Sequence, residues 1–94
     1  MKINGIIWFD EVLEKLARKH HVLQNEVREI LTNRPYFRFM EKGHHPGENV
    51  YAAMGQISNG RYLILFFVYK TDGRALILSA RDMTESERRL YAKI

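Results

Sequence analysis

The sequence predicts an α+β fold in which two N-terminal helices precede an antiparallel β-sheet meander and a short C-terminal helix follows it. Apolar residues recur at helical spacing in the first third of the chain. Runs of β-branched and aromatic residues then alternate with turn-forming pairs, as in a series of hairpins. With 94 residues and no linker or repeat, we expect a single domain over 1–94.

Both N-terminal helices follow from apolar periodicity and from the residues that begin and end them. For the first helix we expect Asp10 as N-cap, followed by one apolar face made of Val12, Leu13, Leu16 and Ala17. The second helix begins near Gln24 and uses Leu23, Val27, Ile30 and Leu31. Pro35 ends it, because the residue before a proline is pushed out of the helical region.

Four strands are predicted after the second helix, at 36–41, 50–57, 62–69 and 75–80. Asn59-Gly60 and Asp72-Gly73 predict two-residue turns in which both residues have positive φ. The third strand is apolar on both faces, so we expect it at the centre, with helices on one face and packing or a partner on the other. Thr84 and Glu87 form a capping box that predicts the last helix.

Composition limits the class of protein. The chain has no cysteine, which excludes disulfides and thiolate metal sites and fits a reducing cytoplasm. The apolar stretch at 6–9 is shorter than the roughly 7–15 residues of a secretory signal. The longest apolar run, 62–69, is far below the ~20 residues that span a bilayer. We therefore expect a cytoplasmic protein with no membrane partner, and its net charge of +4 suits a polyanion such as RNA.

The four histidines occur as two adjacent pairs, His20-His21 and His44-His45. A metal site needs side chains that converge on one point, whereas adjacent side chains diverge, and no acidic cluster accompanies either pair. There is also no glycine-rich phosphate loop and no nucleophile elbow. The sequence therefore predicts neither a metal nor an organic cofactor.

The segment from Ser79 to Tyr91 has the residues of an RNA site. Arg81 ends a strand, and the capped helix that follows brings Arg88 or Arg89 and Tyr91 nearby. Such a cluster can bind a phosphate and stack a base. The residues alone equally allow a structural interpretation, in which Glu87 only caps the helix, Tyr91 belongs to the core and the arginines form a solvated face.

The same segment resembles the C-terminal signature of BrnT toxins, a branch of the RelE-like ribonuclease toxins. Its elements are Ser79-Ala80-Arg81, Thr84, Glu87-Arg88 and Tyr91. Lys19-His20-His21-Val22 is similar to the Lys-His-Gly-Val stretch that ends the first helix in that family, with Trp8 at the matching distance upstream. Gly47-Glu48, Gly55 and Arg61 also match, so the resemblance extends from Trp8 to Tyr91.

The resemblance implies a RelE-like fold and a ribonuclease toxin of a type II toxin–antitoxin pair, which inhibits translation and needs no metal or organic cofactor. The implied partners are an RNA substrate and an antitoxin with a ribbon-helix-helix DNA-binding part. An oligomer formed with that antitoxin is left open. The chain departs from the family pattern at Phe9, Leu16, His21, Val50 and Leu76, where an acidic residue, an asparagine, a glycine and two basic residues are common.

For cleavage we hypothesise attack by the substrate's own 2′-OH, with positioned acid–base groups and cations around the phosphate. Arg81 and Arg61 would hold the scissile phosphate, with Arg88 as a further candidate. His20 is the preferred acid or base, since histidine changes charge near neutral pH. The remaining assignments are Glu48 and Glu87 as alternative bases, and Lys19 and Tyr91 as residues that position phosphate and base.

Two other functions remain open from the sequence. One is a non-catalytic RNA-binding protein that kept the fold and a basic face but lost turnover; the departures at Leu16, Val50 and Leu76 favour it. Alternatively it is a protein-interaction domain whose apolar sheet face binds an antitoxin. Salt distinguishes the two, because phosphate-driven binding weakens as salt increases.

Overall fold

The computed structural model describes residues 1–94 and contains five strands and three α-helices. Their order is β1 (Gly5–Ile7), α1 (Asp10–Lys15), α2 (Gln24–Thr32), β2 (Tyr36–Glu41), β3 (Val50–Gln56), β4 (Tyr62–Tyr69), β5 (Arg74–Asp82) and α3 (Glu85–Ala92). Helix α1 continues directly into a π-helical segment, Leu16–His20. The predicted α+β class and its sequence of helices, meander and short last helix are confirmed.

One five-stranded sheet organises the molecule, in the order β1-β5-β4-β3-β2. The four predicted strands pair with their chain neighbours in antiparallel fashion, and β4 lies at the centre as expected. Strand β1 was not predicted: it has three residues and pairs in parallel with β5, opposite Arg74 to Leu76. Three residues are too few to show the alternation of apolar and polar side chains by which a strand is predicted. The strand is ordered by backbone pairing with β5, which is distant in the sequence.

The two faces of β4 pack into separate clusters. Leu63, Leu65 and Phe67 are buried against helix residues that include Val27 and Ile30. On the opposite face Ile64 packs with Ala52, Met54 and Met83, and the α3 residue Tyr91 lies against this smaller cluster. Helix α3 is thus associated with the end of the sheet where β4 begins, whereas Leu78, farther along the same face, is 42% exposed.

Two details of the helices differ from the expectation. The N-cap of α1 is Phe9, and Asp10 is the first helical residue, where its charge favours the helix N-terminus without a capping hydrogen bond. Ala17 is exposed, outside the buried face. Leu23 is the exposed N-cap of α2, and its N–H donates to a carboxylate oxygen of Glu26 at 2.8 Å.

The hairpin turns occur where expected but are of another type. Only the glycines, Gly60 and Gly73, have positive φ, so Asn59 and Asp72 do not. The Gly60 N–H donates to the Ile57 carbonyl at 2.9 Å, as in a three-residue loop that ends on a left-handed glycine. The Asn59 and Asp72 side chains accept the backbone N–H two residues on, each at 3.0 Å. Asn59 and Asp72 therefore stabilise the turns by accepting a hydrogen bond through the side chain, and not by adopting a positive φ.

Candidate functional site

Helix α3 is fixed at its N-terminus by the predicted capping box. The Glu87 N–H donates to the Thr84 hydroxyl at 3.2 Å, and the Thr84 N–H donates to a Glu87 carboxylate oxygen at 2.8 Å. The same carboxylate accepts both Nη1 and Nη2 of Arg81, at 2.7 and 3.0 Å. One side chain thus begins the helix and fastens it to the end of β5.

The Arg81–Glu87 ion pair restricts what each partner can do. The Arg81 guanidinium lowers the pKa of Glu87 to about 2, so this carboxylate is a poor proton acceptor near neutrality. The hydrogen bonds that Arg81 donates to Glu87 in turn raise the pKa of Arg81, whose charge is compensated by the carboxylate, and its guanidinium lies 5.4 Å from the Phe66 ring centroid. The sequence suggested a phosphate ligand and a base here, and the structure brings them together as an ion pair.

Arg88 is in a different electrostatic environment. Its side chain makes no ion pair with a carboxylate, and its Cζ lies over the Tyr62 ring, 4.1 Å from the centroid. Tyr91 meets the same ring edge-on, with centroids 6.1 Å apart. Sequence reasoning did not select Tyr62. Alternation along β4 could have found it, since Tyr62 lies on the face opposite Leu63.

Arg88 and Tyr62 together line two shallow pockets. One, of about 300 Å³, is lined by Arg88 and Tyr62 together with Gly60, Arg61, Asp82 and Met83. The other, of about 400 Å³, is lined by Arg88 and Tyr62 together with Gln56, Glu85, Arg89, Tyr91 and Ala92. We call this part of the molecule the α3 end.

Arg61 connects the α3 end to the segment that carries His20. Its guanidinium donates to the carbonyls of His21 at 2.7 Å and His20 at 3.1 Å, and to the Asp82 carboxylate at 3.1 Å. Arg61 therefore holds the end of the π-helical segment against the start of β4. His20 is half-buried there, and Lys19 beside it is exposed.

The residue after His20 has a strained backbone conformation. His21 has a φ of 54° and a ψ of 38°, and its N–H donates to the Leu16 carbonyl as the C-cap of the π-helical segment. Glycine is the residue that adopts left-handed φ without a Cβ penalty. The glycine common at this position in the resembling family is thereby explained by the backbone.

Glu48 lies away from these residues. Its carboxylate accepts the Lys70 ammonium at 2.8 Å and the Thr71 N–H at 3.2 Å, and the hydrogen bond from Lys70 lowers its pKa. Lys70 follows the last residue of β4 and Tyr62 is the first, which separates them by roughly 25 Å at the usual rise of a strand. The structure therefore does not bring Glu48 together with the other candidates.

A groove of about 530 Å³ lies at this second position, which we call the loop end. Its floor contains four aliphatic side chains, those of Val50, Val68, Leu76 and Leu78, and its rim includes His44, His45, Glu48 and Lys70. The chain contains no group of three histidine, aspartate or glutamate side chains placed to hold a metal ion. None of its helices has the length and apolar character needed to cross a membrane.

The fold gathers arginine and tyrosine side chains at one end of the sheet, and these are side chains that proteins use to bind single-stranded nucleic acid. A comparison with family models is more specific. The model described as "Ribonuclease toxin, BrnT, of type II toxin-antitoxin system" matches residues 8–87. The chain therefore belongs to the BrnT family of ribonuclease toxins, whose members have an RNA target and a protein antitoxin. A search of curated proteins found no match.

Proposed function

We propose that this chain cleaves RNA at its α3 end, without a metal ion, by attack of the substrate's 2′-OH on the adjacent phosphate. The observation that carries the proposal is the guanidinium of Arg88, which has no carboxylate partner, lies on the Tyr62 ring and lines two pockets. A cation without a carboxylate partner is available to a phosphate, and a fixed one stabilises the charge that develops in the transition state.

The residues then take distinct roles. Arg88 contacts the phosphate, and His20 transfers the proton, either from the 2′-OH or to the leaving 5′-oxygen. The bond from phosphorus to the 5′-oxygen breaks as the bond to the 2′-oxygen forms, which leaves a 2′,3′-cyclic phosphate and a 5′-hydroxyl. Arg61 positions His20 through its hydrogen bond to the His20 carbonyl. Lys19 adds positive charge beside it.

Arg81 and Glu87 have a positioning role in this proposal. Their ion pair and the capping box hold the first turn of α3, and Arg88 is the next residue of that turn. Glu48 has no role in cleavage, because it is bonded to Lys70 at the loop end.

Inducible expression in a bacterial host tests this function. We expect growth arrest and new 5′-hydroxyl RNA ends with the wild-type chain, and neither with Arg88→Ala. Arg28→Ala is the matched control, since it also removes one exposed arginine but lies on α2. New ends that persist undiminished in Arg88→Ala would contradict the proposal.

We also propose that the antitoxin has a ribbon-helix-helix DNA-binding part, as the family resemblance implies. Co-expression with the product of a neighbouring small reading frame should suppress growth arrest, and the purified pair should bind the promoter DNA of the two genes. A partner that suppresses arrest but binds no DNA would contradict this part.

A second candidate function is antitoxin binding without catalysis, and the loop-end groove favours it. An open aliphatic floor with a charged rim suits a protein partner better than a phosphate chain. Antitoxin binding by wild-type protein that leaves RNA intact, and that is insensitive to salt, would select this alternative over the ribonuclease.

A further inference from the structure

Arg88 and Tyr62 line both pockets of the α3 end, and the other residues of the two pockets differ in chemistry. The smaller one is bordered by Arg61, which is fixed by the carbonyls of His20 and His21. The larger one is bordered by Tyr91 and by the exposed amide of Gln56. A nucleotide has the same division, with an anionic phosphate on one side of the sugar and a flat base on the other.

We propose that the larger pocket binds one unpaired RNA base that carries an exocyclic amino group, stacked on the plane of Arg88, while the N–H groups of the same guanidinium donate to the neighbouring phosphate on the Arg61 side. This proposal rests on the ribonuclease function above and specifies the substrate of the same site. It identifies Gln56 and Tyr62, neither of which the sequence had suggested, as substrate-recognition residues.

Stacking follows from the arrangement of Arg88 on Tyr62. The ring supports the guanidinium at 4.1 Å, and Tyr91 supports the ring from its edge. Arginine planes and aromatic rings are the surfaces on which proteins stack unpaired RNA bases. A base in the larger pocket would extend this stack, because Arg88 and Tyr62 both line that pocket.

Base selection follows from the Gln56 amide. Its Nε2 donates to the Gly60 carbonyl at 3.2 Å, which determines how the amide is turned. Its Oε1 is then left as an acceptor with no protein donor. Cytosine, adenine and guanine each present an exocyclic amino donor to such an oxygen, whereas uracil has a carbonyl oxygen at the position of the cytosine amino group and offers only its ring N3–H.

Binding of 2′-O-methylated RNA heptamers tests the proposal, because the methyl group blocks the nucleophile and separates binding from cleavage. Oligocytidylate and oligouridylate are compared by fluorescence anisotropy, since these pyrimidines differ in the amino group that Gln56 would read. We expect wild-type protein to bind oligocytidylate about fivefold more tightly, the effect of one hydrogen bond. Gln56→Leu should remove this preference, and Gln56→Glu, which keeps an acceptor oxygen, should retain it.

Arg88→Ala and Tyr62→Leu should weaken binding of both heptamers by roughly tenfold, the effect of losing one stacked base, while Arg28→Ala leaves both unchanged. Equal binding of the two heptamers by wild-type protein would overturn the base preference, and unchanged binding by Arg88→Ala would overturn the stacking site. Selective binding without cleavage of unmodified RNA would contradict the ribonuclease function but support the base site. Cleavage of unmodified RNA by the wild-type protein, together with undiminished heptamer binding by Arg88→Ala and Gln56→Leu, would support the ribonuclease function and contradict the base site.

Discussion

The α3 end and the loop end lie on the same open face of the sheet, but they treat charge in opposite ways. At the loop end Lys70 is neutralised by Glu48 above an aliphatic floor. At the α3 end the carboxylate of Glu87 forms an ion pair with Arg81, and Arg88, the residue after Glu87, has no carboxylate partner. The comparison shows that the number of basic residues does not locate a phosphate site. What locates it is a cation that the fold holds in place and leaves unpaired.

The largest expected effect comes from removing the proposed proton-transfer group, which Arg61 links to the α3 end. His20→Ala should reduce the rate of RNA cleavage by roughly 10²–10⁴-fold, the contribution of a positioned acid or base. His44→Ala is the matched control, because this exposed histidine borders the loop end and should leave the rate unchanged. Single-turnover kinetics on a labelled RNA measure both. An equal loss of cleavage rate in His20→Ala and His44→Ala would contradict the placement of the chemistry at the α3 end.

Replacing Arg81 should be the next largest effect, and it tests whether repulsion by Glu87 contributes to the loss of cleavage. Arg81→Ala leaves the Glu87 carboxylate unpaired beside the phosphate site, so we expect cleavage to fall by roughly tenfold or more through repulsion and loss of α3 positioning. The double variant Arg81→Ala/Glu87→Gln removes the stray charge and should recover part of the rate. A double variant as inactive as Arg81→Ala would contradict repulsion by Glu87 as a cause of the loss.

The dependence of protein stability on acid pH tests the Arg81–Glu87 ion pair at the α3 end. The pKa of Glu87 is about 2 in the folded protein, below its ordinary value of 4.5. Its stabilising effect is therefore complete above about pH 4.5 and is lost as the pH falls through 2. We expect about 1–2 kcal/mol, less than the full linkage value because solvent screens the pair. Urea unfolding of wild type and Glu87→Gln between pH 6 and pH 2.5 measures it; a constant difference across this range would contradict the assignment.

The smallest expected effect concerns His21, the strained residue beside the histidine that we propose as the proton-transfer group. His21→Gly should raise the free energy of unfolding by about 0.5–1 kcal/mol, because the backbone there is left-handed. Arg34→Gly is a comparable change, since Arg34 has a φ of 50° and lies outside the α3 end. Thermal unfolding compares the two. A loss of stability in His21→Gly would mean that the imidazole makes a contact worth more than the strain.

Local signals in the sequence were sufficient for much of the fold. The capping box at Thr84 and Glu87 involves residues three apart, and the apolar character of Tyr62–Tyr69 marks the centre of the sheet directly. Strand β1 was missed because its three residues are ordered by pairing with β5, far along the chain. The turn type was missed because Asn59 and Asp72 serve as side-chain acceptors, which the dipeptide pattern does not distinguish.

The candidate site was predicted as a set of residues but not as an arrangement in space. Resemblance to a family identified Arg81, Glu87 and Arg88 along the chain without revealing that the first two pair and leave the third free. It also could not show that Glu48 lies at the other end of β4, because a family motif gives the order of residues along the chain and not the distances between them in the fold. Tyr62 was missed because an aromatic residue at a strand start is ordinarily part of a core.

Cleavage of a labelled RNA by purified protein in EDTA tests the central claim most directly, with wild type, Arg88→Ala and Glu48→Gln side by side. We expect wild type and Glu48→Gln to produce 2′,3′-cyclic phosphate and 5′-hydroxyl ends at rates within about twofold of each other. Arg88→Ala should be slower by roughly 10²–10³-fold, the effect of removing one preorganised donor. An active Arg88→Ala protein together with an inactive Glu48→Gln protein would place the chemistry at the loop end and contradict this account.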